Sequence, residues 1–159
     1  MGDHPTTRAT LSLALDLAAR GDACASVLDL GCGSGVLSIA LALNYGSRVV
    51  AVDIAPAAIE ATLANVALNG VAENFVIARG DINCVMGQYE LVLANILAPV
   101  LLADRDAILR RVAARGTLIL SGFTDTRLKD IVESYESAGC RQRNLHQVDG
   151  WYGLELQCL

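Results

Sequence analysis

The sequence lacks the marks of a membrane, secreted or nucleic-acid-gripping protein. Although 53% of its 159 residues are hydrophobic, charges interrupt them before any apolar run reaches the roughly 18 residues of a spanning helix. The first ten residues, MGDHPTTRAT, have no basic region followed by an apolar core and no small-residue cleavage site, so they do not read as a signal or transit peptide. The cytoplasm is the expected location. Aromatic residues are 4%, no basic run occurs, and the net charge is −5, which argues against phosphate backbone as the main source of affinity. The five cysteines, Cys24, Cys32, Cys84, Cys140 and Cys158, form no C-x-x-C pair and none lies near a His at ligand spacing. They are expected to be reduced, mostly buried thiols, with no metal. There is no internal repeat, low-complexity tract or linker, so residues 1–159 read as one domain.

What is present is an alternation. Apolar residues at Leu11, Leu13, Leu15, Leu17 and Ala18 follow Thr6 and Thr7, either of which could cap a helix running to about Gly21. Short apolar runs then follow: SVLDL, RVVAVDI, NFVIARG, YELVLANI and GTLILSG. They are separated by helical segments near 34–45, 56–70, 97–113 and 125–138. Strand and helix in alternation require crossovers, and crossovers give a mainly parallel sheet covered on both faces. In the tail, two strand-like runs flank Asp149-Gly150, a dipeptide suited to a tight turn. The expected fold is therefore α/β, a doubly wound, mainly parallel, Rossmann-like sheet of seven strands with a carboxy-terminal antiparallel hairpin.

The stretch VLDLGCGSG (27–35) places a glycine loop after the first strand, where open α/β sheets bind ligands. A phosphate-cradling P-loop needs Lys followed by Ser or Thr after its last Gly, and Gly35 is followed by Val36-Leu37. A dinucleotide fingerprint needs G-x-G-x-x-G, but Val36 stands where the third Gly should be. Asp29, two positions before Gly31, would also repel a pyrophosphate at ~4 kcal/mol for unit charges 4 Å apart near a surface. A cationic amino-acid end suits it better. S-adenosylmethionine has an ammonium for the acidic side and a carboxylate for a helix amino terminus beginning at Ser34, after Gly31 and Gly33. Asp53, with Ile54 beside it, can accept from both ribose hydroxyls, and Asp81 could meet the adenine amino group. Taken singly, each feature is equally what a tight turn or a helix cap requires, as Asp53 could cap the helix entered through Pro56. Together they point to a nucleoside site.

With these residues in hand, the chain resembles class I S-adenosylmethionine-dependent methyltransferases, and more closely the catalytic domain of the ribosomal protein L11 methyltransferase family, PrmA. Gly2-Asp3-His4-Pro5-Thr6-Thr7 matches the family's G-x-H-P-T-T segment, DLGCGSG its glycine loop, VDIAP its ribose-binding turn and NVALNG its second-helix ending. ANILAPVL matches its strand-four motif, LSGF its fifth strand end, and Trp151 a Trp of its terminal hairpin. The resemblance implies cofactor contacts at Thr7, Gly31, Asp53 and Asn95, with Thr6 and Ile96 beside them. It also implies a protein substrate, possibly a ribosomal protein. The family often has Asp where Ala55 stands, and its separate amino-terminal recognition domain is absent, so the chain is expected to be an excised catalytic domain or a stand-alone relative.

Methyl transfer from a sulfonium is an in-line displacement in which charge is lost, so positioning, desolvation and a neutral nucleophile are the requirements. Asn95 and Ile96 are the candidate catalytic residues, the Asn95 amide and both carbonyls accepting amine hydrogens. NILA lacks the aromatic of the N-P-P-[YF] segment that stacks a flipped base, which favours a protein amine over a nucleobase. Acceptance by a small molecule, or cofactor binding without catalysis, are the competing readings. His4 reads as a loop member near the methyl or as a local packing residue. Trp151 and Tyr152 read as substrate groove or as sheet edge.

Overall fold

In the computed structural model, which describes residues 4–22 and 24–158, the alternation becomes a seven-stranded sheet. Strands β1 (Ser26–Leu30), β2 (Arg48–Asp53), β3 (Phe75–Arg79), β4 (Tyr89–Asn95) and β5 (Val112–Thr124) run parallel, β7 (Trp151–Cys158) runs against them, and β6 (Cys140–Val148), antiparallel to β7, runs in their direction at the edge. The spatial order is β3-β2-β1-β4-β5-β7-β6. Winding therefore reverses between β1 and β4, and the crevice at their carboxyl ends is the topological switch point. The hairpin at 149–150 is as expected: Asp149 and Gly150 both take positive φ, 49° and 82°, the turn whose twist matches that of the strands.

Period-2 alternation sorts the strand side chains between two cores. Leu28, Leu30, Val92, Ala94, Leu118 and Leu120 face one side, where α4 (Ala98–Ala103), α5 (Arg105–Leu109) and α6 (Asp125–Ser137) supply Leu101, Ile108, Ile131 and Tyr135. Val27, Val49, Ala51, Leu91, Leu93 and Ile119 face the other, under Leu13 and Leu17 of α1 (Pro5–Ala19) and Leu37 and Leu41 of α2 (Val36–Tyr45). Helix α3 (Pro56–Leu68) closes that layer through Val66. Each fully buried Leu contributes ~1.5–3 kcal/mol. A side chain at Gly153 would press on Ala9 and Leu13 at 3.1–3.2 Å, so this glycine lets α1 lie close on β7. That seats the start of α1 at the carboxyl end of the sheet.

Three expectations are corrected. The opening helix is capped by His4, not by Thr6 or Thr7: the His4 side chain accepts from the Thr6 N–H, and Pro5 fills the first helical position, where no amide hydrogen is needed. The segment 97–113 is not one helix. Asp104 ends α4 and begins α5, and Val112 already belongs to β5, opposite Tyr89. The cysteines are not all free: Cys140 and Cys158 face each other across the hairpin, Cα atoms 4.2 Å apart, and are bonded, while Cys24 and Cys32 are buried thiols and Cys84 is exposed. Gly2 and Asp3 of the H-P-T-T segment lie outside the described residues. Among the described residues, no helix is long and apolar enough to cross a membrane.

Candidate functional site

Residues 31–35 carry the chain from β1 to α2 through three positive-φ glycines. At Gly31 the requirement is also spatial, because a Cβ there would run into Ile96 Cγ2. Backbone donors tie the loop to β2: Gly31 N–H and Cys32 N–H donate to the Val52 carbonyl at 2.8 and 3.1 Å, and Gly33 N–H to Asp53 Oδ2 at 3.0 Å. From the other side, α3 holds the loop's carbonyls. Thr62 Oγ1 donates to Gly33 O at 3.0 Å and Asn65 Nδ2 to Ser34 O at 2.9 Å. The loop is thus set before any ligand arrives. Gly35 caps α2 without a side-chain hydrogen bond; the Ser38 amide is engaged by the buried Asp29 carboxylate, and the Val36 and Leu37 amides before it can receive a carboxylate.

Asp29 is not where the sequence suggested. It lies on the α1 and α2 side of the sheet and is fully buried beneath α2, with Oδ2 accepting from Ser38 Oγ at 2.7 Å and Oδ1 without a partner. Burial raises its carboxyl to about 6, with the Asp53 charge pushing the same way and the Ser38 hydrogen bond opposing. It underlies the loop and does not line the cavity. Cys32 is likewise pushed up to about 12, mainly by burial, so this loop thiol stays protonated and inert.

The far end of the crevice is built by chain segments distant in sequence. The turn after β4 carries Asn95, Ile96 and Leu97 into a cavity of about 1110 Å³ shared with Thr6 and Thr7 of α1, the glycine loop, Gly122 and Trp151. Gly122, at φ 99°, interrupts the β5–β7 register, and a Cβ there would run into the Ile96 carbonyl oxygen. The Ile96 peptide therefore packs directly on Gly122, and its carbonyl is turned to that contact. His4 Nδ1 lies 2.8 Å from Thr6 Oγ1, and the His4 ring meets Trp151 edge-on, centroids 5.2 Å apart. Both rings flank the cavity. His4, Trp151 and Gly122 were the residues whose site role sequence reasoning missed or left open. The H-P-T-T segment, the hairpin Trp and the G of LSGF carried the signals, but none of them said that the three meet at one cavity.

Asp53, Ile54 and Asp81 lie beside this cavity and do not line it. Asp53 Oδ1 accepts from Ala55 N–H at 2.9 Å, Gly80 N–H donates to the Asp53 carbonyl at 3.0 Å, and Asp81 Oδ1 accepts from Asn83 N–H at 2.8 Å, capping a short 3-10 turn. Ile54 is 70% exposed next to them. Each carboxylate oxygen of Asp53 keeps a further acceptor site, so both can still take a ribose hydroxyl. A carboxylate shelf, an exposed aliphatic face and an uncapped helix start fit a nucleoside bearing an amino acid. Among the described residues, no group of three or more His, Cys, Asp or Glu could hold a metal ion.

Comparison with known proteins agrees with this geometry. The family described as ribosomal protein L11 methyltransferase (PrmA) matches residues 1–158. A ribosomal protein L11 methyltransferase from Citrifermentans bemidjiense is 38% identical over 162 aligned residues, covering 99% of this chain and 50% of the relative. One from Thiobacillus denitrificans is 41% identical over 134 residues, covering 84% of this chain and 43% of the relative. The chain thus spans half the length, or less, of these two relatives. Among solved structures, a ribosomal protein L11 methylase from Lactobacillus delbrueckii subsp. bulgaricus superposes with a TM-score of 0.84 at 29% identity, covering 99% of this chain and 81% of that one.

Proposed function

The chain belongs to the ribosomal protein L11 methyltransferase family, and from that premise we propose that it binds S-adenosylmethionine on the glycine loop and directs methyl transfer to an amine of a protein. The observation that carries this reading is the convergence, on one cavity with the glycine loop, of the Asn95–Leu97 turn, the start of α1 and Trp151. The bound cofactor supplies an electrophilic methyl on a sulfonium sulfur. The chain's own residues do the rest. The Val36 and Leu37 amides at the start of α2 would hold the carboxylate end, Asp53 the ribose hydroxyls, Ile54 one face of the adenine and Asp81 its amino group. Thr6 and Thr7, which line the same cavity from the start of α1, would flank the methyl. Asn95 accepts hydrogens of the incoming amine through its side-chain oxygen and its carbonyl, aiming the lone pair, while the Ile96 peptide, braced on Gly122, keeps the turn rigid. A lysine at its ordinary pKa of ~10.4 must lose a proton before it attacks, and the apolar walls of Ile96, Leu97 and Trp151 favour the neutral amine.

A ribosomal protein is the first candidate acceptor, and a cytoplasmic location follows from it. The test is incubation with isotopically labelled cofactor, ribosomal proteins and a small-amine library, read by mass spectrometry. Label on a lysine or α-amino group of a protein supports the proposal. Label only on small amines, or on nothing while S-adenosylhomocysteine still binds, overturns the acceptor assignment and leaves the cofactor assignment standing.

A further inference from the structure

At the opposite end of the sheet lies a second polar region that methyl transfer does not use. A cavity of about 360 Å³ is lined by Arg115 on β5, Arg141 and Arg143 on β6, and Gln157 and Cys158 at the end of β7. All three arginines are exposed, and among the described residues none has a carboxylate within 4.0 Å. In a chain of net charge −5 this is a concentration of cations without direct ion pairs, although Arg143 acts on the Glu155 charge from a distance. The adjoining cavity of about 660 Å³ shares Arg115, Arg143 and Gln157 with it, and its acidic groups have partners of their own: Arg20 takes Glu155 Oε1 at 2.6 Å and Asp22 at 3.3 Å, and Glu90 accepts from Ala25 and Ser26 N–H, while Glu155 Oε2 is left without a partner.

Gln157 organises the cluster. Its Nε2 donates to the Arg115 carbonyl at 3.1 Å, and its Oε1 accepts from the Arg143 guanidinium. Arg115 is held at φ 61°, left-handed backbone that L side chains rarely adopt. The Arg143 guanidinium and the Arg115 backbone are thereby placed before a ligand arrives, which lowers the entropy lost on binding. Guanidinium groups offer paired planar donors that match oxyanions, phosphate above all.

We propose that this cavity is a binding site for a phosphate group, free or in a phosphodiester backbone. It lies away from the glycine loop, so occupancy of the two sites is compatible. The test titrates the full chain at low ionic strength with inorganic phosphate and, separately, with a short single-stranded RNA, against chloride at matched charge. Saturable binding is expected, weakened at least tenfold in the double variant Arg141→Gln, Arg143→Gln. Arg115→Gly should weaken it too while leaving the fold intact, since glycine adopts positive φ freely, so lost binding there cannot be lost folding. S-adenosylhomocysteine affinity should be the same in all variants. RNA binding tighter than phosphate, with a steep salt dependence, assigns a backbone phosphate; tighter phosphate binding assigns a free ion. No saturable binding by either probe, binding that survives the variants, or displacement by S-adenosylhomocysteine would overturn the proposal.

Discussion

The two ends of the sheet are built on different principles. At the carboxyl ends of β1, β2, β4 and β5, geometry is set by backbone: positive-φ glycines, a peptide packed on Gly122, and carboxylates whose partners are amides such as those of Gly33 and Ala55. At the amino ends it is set by long side chains, with Arg20 reaching Glu155 and Arg143 reaching Gln157. Backbone construction leaves side-chain oxygens and helix amides free for a ligand, but tolerates little change. Side-chain construction is forgiving where the arm is exposed, as at Arg143, and not where it neutralises a buried carboxylate, as Arg20 does for Glu155.

Four measurements sharpen or break this contrast. The largest effect should come from Asp29, buried under the loop with its carboxyl held up at about 6 against an ordinary 3.8. A raised acid favours protonation in the fold, so the parent loses stability as pH rises from about 4 to about 6 and stays lower above that. Asp29→Asn escapes this cost and keeps an acceptor for Ser38. Its thermal stability should exceed the parent's by up to ~3 kcal/mol above pH 6 and match it near pH 4. A difference independent of pH would show that burial does not penalise this charge.

Next, Asn95→Ala should lower turnover by ~100-fold while cofactor affinity, measured by calorimetry, falls much less. Equal losses in both would make Asn95 a cofactor contact alone. Asp53→Ala should weaken S-adenosylhomocysteine at least tenfold, about 1.4 kcal/mol, because it removes the ribose acceptors and frees the Gly33 amide together; unchanged affinity would remove Asp53 from the site. The smallest effect belongs to the amino end. Arg115→Gly should change unfolding free energy by only ~1 kcal/mol, in the stabilising direction, as the strained φ is relieved, with turnover unaltered. A collapse of turnover there would mean the two ends are coupled after all.

Much of this was legible in the chain itself. The strands were readable because burial on both faces imposes short apolar runs, and the hairpin because Asp149-Gly150 is local chemistry. The glycine loop was readable for the same reason, since alternate positive-φ residues need glycine wherever they occur. The helix expected over 97–113 failed because its apolar pattern continues through Asp104, while pairing of Val112 with Tyr89 claims the end for β5. Asp29 was misplaced because a local pattern does not say that α2 will fold over it, where Ser38 takes its carboxylate.

By itself the sequence determined the α/β winding, the loop at its first turn and the acidic strand ends, since each rests on contacts within a few residues. The family's motifs marked Asn95. Only the tertiary structure decided that Gly122 makes room for the Ile96 peptide, that His4 caps α1 and meets Trp151 from the far hairpin, and that three arginines from β5 and β6 share one cavity with the end of β7. Those contacts join segments tens of residues apart, and strand order and register bring them together, which no local pattern encodes.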